Sequence, residues 1–180
     1  MKKNYIFSLL YLLTIMNVVA QTTFDWESSA YDSITNGQTS VKQTLNTITA
    51  TFSVSSNQPF LVSAFGIGGS SGFVVGSRNA TNDTSATLSF STPVNIQSLL
   101  AFKGSTASPA ANWTITPTGG NNSNVVINVS GMTGGVTAQL NWTNITEITV
   151  SSSAGKDWFA FDNIIADIFV GMEDSRDISS

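Results

Sequence analysis

The chain contains no histidine and no cysteine among its 180 residues. Their absence removes Ser-His-Asp and Cys-His nucleophilic schemes, imidazole general bases and most zinc or copper sites. It also removes disulfides, on which small exported domains often lean, so stability must come from packing, from the β-ladder or from a bound ion. Charged residues are scarce at 10% of the total. No segment after Ala20 holds a 3.6-residue apolar stripe for three turns, which argues against helical and α/β bodies.

Long apolar runs are missing everywhere but at the start. Lys2 and Lys3 form a positive patch, Tyr5 to Val19 is mostly apolar, and Val18 and Ala20 supply small residues before Gln21. That pattern reads as a signal peptide over 1–20, removed near Ala20, and implies a secreted or cell-surface protein. The run is shorter than the ~20 residues of a spanning helix. An uncleaved anchor is the weaker alternative, and a lipid anchor lacks the cysteine it needs. The remainder, 21–180, is one domain by length, expected over 21–170, with a polar tail or linker start at 171–180. Without Lys2 and Lys3, five basic residues face eleven acids, a net charge of −6. Such a surface repels phosphate backbones, so no nucleic-acid partner is expected.

What is present in quantity is alternation with a period of two. Ile48 to Val54 places an apolar residue at every second position with small hydroxyls between them. The same rhythm runs through Ala86–Phe90, Trp113–Ile115 and Val136–Trp142. Alternation sends one set of side chains to the core and the other to water, and Thr and Val favour the pleated backbone. Further strands are expected at 41–45, 60–65, 72–76, 96–102, 124–129, 145–151, 157–161 and 164–169, with turn-rich pieces between them, including Gly66 to Gly72. About ten short strands predict an all-β fold, a two-sheet antiparallel sandwich of jelly-roll type.

The glycines at 66–69 do not make a phosphate loop, because strand rather than helix follows them. The Asn-x-Ser/Thr triplets at Asn112, Asn128 and Asn141 are expected by chance in so Asn- and Thr-rich a chain. Among the acids, a glycosidase-type carboxylate pair could be drawn from Asp25, Glu27, Asp32, Asp83, Glu147, Asp157, Asp162 and Asp167. Most lie at strand ends or beside turns, where solvated charges and backbone caps are common. Trp113 and Trp142 are in phase with core-facing neighbours. Trp158 is out of phase with Phe159 and Phe161 and is the best exposed-aromatic candidate for a ligand, with Trp26 second.

The two chain ends are the informative feature. Phe24-Asp25-Trp26-Glu27 opens the mature chain, and Phe159-Ala160-Phe161-Asp162-Asn163-Ile164 closes it. At the second segment the alternation changes parity, and a bulge at Asp162-Asn163 lets both halves face the core. A carboxylate at a bulge suits a hard cation if a second carboxylate approaches, and Ca²⁺ takes six to eight oxygens. Otherwise the carboxylate caps the bulge amides itself. These two segments resemble the jelly-roll modules of secreted bacterial proteins, galactose-binding-like or carbohydrate-binding, and the closing strand resembles that of MAM domains. The resemblance implies adjacent first and last strands and a structural Ca²⁺ where they meet, held by Asp25 or Glu27 together with Asp162. The cysteines of MAM domains are missing, so receptor-type adhesion is not implied.

The expectation is therefore a secreted, non-catalytic binding or adhesion module, for carbohydrate or another surface polymer, with no enzyme activity. The alternatives are a structural or spacer domain of a larger cell-surface protein and a carboxylate-pair glycosidase or lyase.

Overall fold

The computed structural model describes residues 21–27, 34–63, 68–70, 72–78, 83–104, 109–131 and 134–170. The expected signal peptide, the polar tail and Asp32 lie outside the described residues. Eleven strands run in chain order: β1 (Thr22–Phe24), β2 (Ile34–Asn36), β3 (Val41–Leu45), β4 (Ile48–Val54), β5 (Pro59–Ser63), β6 (Phe73–Ser77), β7 (Ser85–Lys103), β8 (Ala111–Thr118), β9 (Val125–Val129), β10 (Val136–Ser152) and β11 (Phe159–Ile168). Every ladder is antiparallel. Among the described residues there is no helix, as the absence of a 3.6-residue stripe requires.

The strands form two layers that share β7 and β10. The first layer runs β2-β3-β4-β7-β10-β8-β9, using the first part of β7 (Ala86 opposite Val54) and the last part of β10 (Ser151 opposite Thr114). In the second layer the end of β7 pairs with β11 and with the beginning of β10, β11 continues to β6 and β5, and β1 lies beside β11. Between Val94 and Ser89, β7 carries Phe90-Ser91-Thr92-Pro93 across the gap while β10 needs only the step from Ile145 to Glu147. Proline has no N–H to give to a ladder, so this crossing is a place where it costs little. Two layers packed face to face in this way are a β-sandwich.

Aromatic rings join the layers. Phe52 on β4 meets Phe161 on β11 edge-on with centroids 5.9 Å apart, Trp113 on β8 stands 4.8 Å from Phe159, and Phe24 on β1 packs on Phe90 at 6.2 Å. All but Phe90 of these rings are fully buried. Offset and edge-on pairs of this kind contribute roughly 0.5–1.5 kcal/mol beyond the area they bury. The expected core parity of Trp113 and Trp142 is what the structure shows, at 0% and 4% exposure.

The alternation is re-phased at three asparagines. Asn141, Asn144 and Asn163 have φ of +51°, +55° and +47°, a left-handed conformation that asparagine tolerates better than most residues. Each lies where the register slips by one residue: Gln139 to Trp142, Trp142 to Ile145 and Asp162 to Ile165. The bulge expected at Asp162-Asn163 is therefore present, and Phe161 and Ile164 both face the core. First and last strands are adjacent, with Thr22 opposite Ala166 and Phe24 opposite Ile164.

Candidate functional site

The bulge and the first strand bring together the three acids expected there. Burial pushes the Asp162 carboxyl up to about 6; the Ser70 hydroxyl and the Asn163 amide restrain that rise, and the charges of Glu27 and Asp25 add to it. Asp162 Oδ1 accepts the Asn163 N–H at 2.7 Å. Glu27, just past β1, approaches the same place and accepts the Phe73 N–H at 3.1 Å. Gly72 lies so close to the Glu27 carboxylate that a β-carbon there would collide with it. Asp25 Oδ1 accepts the Glu27 N–H at 3.1 Å, closing an Asx turn.

These oxygens are thus given to amide and hydroxyl donors, which is the capping role weighed above. Among the described residues no three His, Cys, Asp or Glu side chains stand close enough to hold a metal ion.

Trp26 is not the exposed aromatic its acidic neighbours suggest. It is 0% exposed, with φ of +58°. The Asx turn goes with a left-handed backbone and an inward indole, while Gln43 Oε1 accepts the Trp26 backbone N–H at 3.2 Å. Trp158 is half-buried. It packs on Phe60 with centroids 6.1 Å apart, its ring covers Gly104, and its Nε1 is buried without a partner.

A buried ion pair lies beside it. Lys103 Nζ is 2.8 Å from Asp157 Oδ2, with 1% and 4% of the two side chains exposed. Trp113 Nε1 and Ser152 Oγ donate to the same oxygen at 2.9 and 2.8 Å, and the Trp158 N–H donates to Oδ1. Burial alone would raise the Asp157 carboxyl, but Lys103 and the other donors hold it below the ordinary carboxylate value. With both carboxylate oxygens hydrogen-bonded and both partners out of water, this pair is structural.

The strongest candidate for a ligand is a cleft that no sequence motif marks. It is open, about 340 Å³, and lies where the bulges of β10 meet β7, β11 and the start of β1. Asn95, Gln97, Asn141, Thr143 and Asp167 supply its polar groups, and Ile96 and Trp142 lie beneath. Asn95 Oδ1 accepts the Asn144 N–H at 3.2 Å and so fixes the second bulge, while Gln21 Nε2 reaches Gln97 Oε1 at 2.6 Å. Asp167 stands opposite Asn95 in the ladder, and its Oδ1 is buried with no hydrogen-bond partner. Asn141 appears in the sequence only as an Asn-x-Thr triplet, and Asp167 only as one acid of eight. The available signal was the cluster of amides at positions where alternation breaks.

No protein-family model and no curated protein matches the chain. Among solved structures it is similar to an exo-β-1,3-galactanase from Phanerochaete chrysosporium determined with galactose, at 17% identity and a TM-score of 0.43, over 82% of this chain. The chain spans 29% of that galactanase. It is also similar to TmCBM61 in complex with β-1,4-galactotriose, at 16% identity and a TM-score of 0.42, over 65% of this chain and 86% of that one. Likenesses this remote carry no functional argument.

Proposed function

We propose that the chain is an exported, non-catalytic module that binds a neutral polysaccharide in the cleft of Asn95, Gln97, Asn141, Thr143 and Asp167. One observation carries this reading: the buried, unpartnered Asp167 Oδ1 in a cleft otherwise furnished with amides and a hydroxyl. A buried acceptor without a donor costs roughly 1–3 kcal/mol, which a ligand hydroxyl would recover. A carboxamide both donates and accepts, and a sugar hydroxyl does the same, so a carboxylate flanked by amides matches a run of hydroxyls. Among the described residues no lysine or arginine lines the cleft, which favours a neutral polymer over an anionic one.

Calcium enters the proposal only at Asp25, Glu27 and Asp162. It would add positive charge beside Asp162, whose carboxyl already feels the charges of Glu27 and Asp25, and its signature is a melting temperature that rises with added Ca²⁺ and falls with chelator. Asp162→Asn abolishes that response if the ion is held there; no response to either addition leaves the three side chains as caps.

Affinity gel electrophoresis through neutral soluble glucans, galactans, mannans and xylans tests the main claim. Retardation in at least one is expected, weakened at least about tenfold by Asp167→Ala, since a hydrogen bond to a charged group is worth roughly 1.5–3 kcal/mol. Trp158→Ala leaves it unchanged. Loss of binding in Trp158→Ala but not in Asp167→Ala moves the site to the face of Trp158 and Phe60. Migration unaltered in every polymer leaves a spacer domain. Release of reducing ends, abolished by one carboxylate-to-amide change, makes the chain an enzyme.

A further inference from the structure

A second cleft, of about 460 Å³, lies between the β2–β3 turn, the β4–β5 turn and the end of β6. Asn36, Gly37, Gln38, Thr39, Asn57, Gln58 and Arg78 line it. It shares no lining residue with the first cleft, which is built from the β1, β7, β10 and β11 segments.

The chemistry differs as well. This chain carries more acids than bases, yet among the described residues no acid lines this cleft and an arginine does. Among the described residues the one salt bridge is that of Lys103 with Asp157, which leaves the exposed Arg78 guanidinium without a carboxylate. The acid that packs on the β4–β5 turn is Asp83. It is fully buried, and its Oδ1 accepts from the Ser56 N–H at 2.8 Å and the Ser55 hydroxyl at 3.3 Å, not from the arginine.

The walls are set in advance. The Gly37 N–H closes one turn on Ser40 O at 2.9 Å, and the Asn57 N–H closes the other on Val54 O at 2.9 Å. The Arg78 N–H ties the third wall to the Gln58 carbonyl at 3.0 Å. Walls fixed in this way lose little further freedom when a ligand arrives.

We propose that this cleft is a second binding site, for a carboxylate-bearing sugar residue of an acidic polysaccharide. The planar guanidinium fork matches a carboxylate with two parallel hydrogen bonds. The neighbouring amides and Thr39 supply the paired donors and acceptors that hydroxyls need. A single cation in a protein of net negative charge suits an isolated carboxylate and not a polyphosphate, whose binding needs several.

Affinity electrophoresis through polygalacturonate, in the same low-salt buffer as the neutral polymers, tests this site independently of the first. The expected result is retardation that weakens as salt is added and drops at least about tenfold in Arg78→Gln. Arg78→Lys, which keeps the charge and loses the fork, retains only part of it, and Asp167→Ala retains all of it. Arg78 is exposed, so the Gln variant keeps the wild-type melting temperature and its loss is a loss of binding. Unretarded wild type in polygalacturonate overturns the proposal, as does equal retardation of Arg78→Gln. Loss in Arg78→Gln with equal capture by an acidic peptide column also overturns it, since the site then reads carboxylates without the sugar. None of these outcomes bears on the neutral-polymer cleft, whose failure shows in the other gels.

Discussion

Asp157 and Asp162 flank the same short stretch of aromatic sequence, both are buried to within a few per cent, and they ended in opposite electrostatic states. Asp157 meets a lysine, an indole N–H, a hydroxyl and a backbone amide, and its carboxyl is held below the ordinary range. Asp162 meets one hydroxyl and one amide, with two further acids nearby, and its carboxyl is pushed up to about 6. Burial is common to both and so does not decide the outcome. The donors waiting at the site do.

The largest test of that contrast removes the cation. Lys103→Met leaves Asp157 charged and buried among donors that do not neutralise it, and urea unfolding is expected to show a loss of roughly 3–5 kcal/mol. Lys103→Met combined with Asp157→Leu should recover most of the loss, because no uncompensated charge is left. If the single variant is as stable as the parent, the lysine is not what keeps Asp157 ionised in the interior.

The next effect is in the pH profile. The folded Asp162 carboxyl titrates near 6, above its ordinary 3.8, so the folded state holds this proton more tightly than the unfolded chain. Its contribution to stability is complete below about pH 3.8 and is lost as pH rises through 6. At about 1.4 kcal/mol per unit the whole change amounts to roughly 3 kcal/mol. Asp157 has the opposite sign: its contribution is present above the ordinary carboxylate value and is lost only as pH falls through its lowered one. In chelator, Asp162→Asn should therefore be more stable than the parent at pH 7.5 and should lack the decline between pH 4 and 6.5. A variant that keeps the decline would show that another group titrates there.

Two smaller changes sharpen the picture. Ser70→Ala deletes the hydroxyl that favours ionised Asp162, which should move the decline to higher pH and cost about 1 kcal/mol at neutral pH. Asn163→Ala, at φ of +47°, should cost roughly 1–2 kcal/mol through the left-handed backbone, while Asn163→Gly stays within about 0.5 kcal/mol. Equal stability of the two variants would mean that the side chain, not the backbone, matters at that bulge.

Much of the fold was legible because one force wrote it. Where a strand has one wet and one dry face, as in β4, the alternation of Ile48, Ala50, Phe52 and Val54 gives both its span and its orientation. The parity change at Asp162-Asn163 was legible for the same reason. The three-residue β1 and β2 are too short to alternate detectably. The unity of β7, β10 and β11 was hidden because each bulge or crossing resets the parity and makes one strand look like two. Trp26 misled because its neighbours in sequence are acids, whereas its neighbours in space were set by an Asx turn. The convergence of Asp25, Glu27 and Asp162 was legible from the adjacency of terminal strands, but the donors that occupy them were not. The amide cleft draws on four separate segments, and the partnership of Lys103 with Asp157 joins the end of one strand to the residues before another. No local pattern encodes either.

Because β7 and β10 pass through both sheets, neither sheet can come apart while the other stays whole. Opening one half strips hydrogen bonds from strands that carry the other, so the domain has no natural seam along which to yield. Amide protons at Phe52 in one sheet and Phe161 in the other should consequently exchange with solvent at the pace of a single, all-inclusive event.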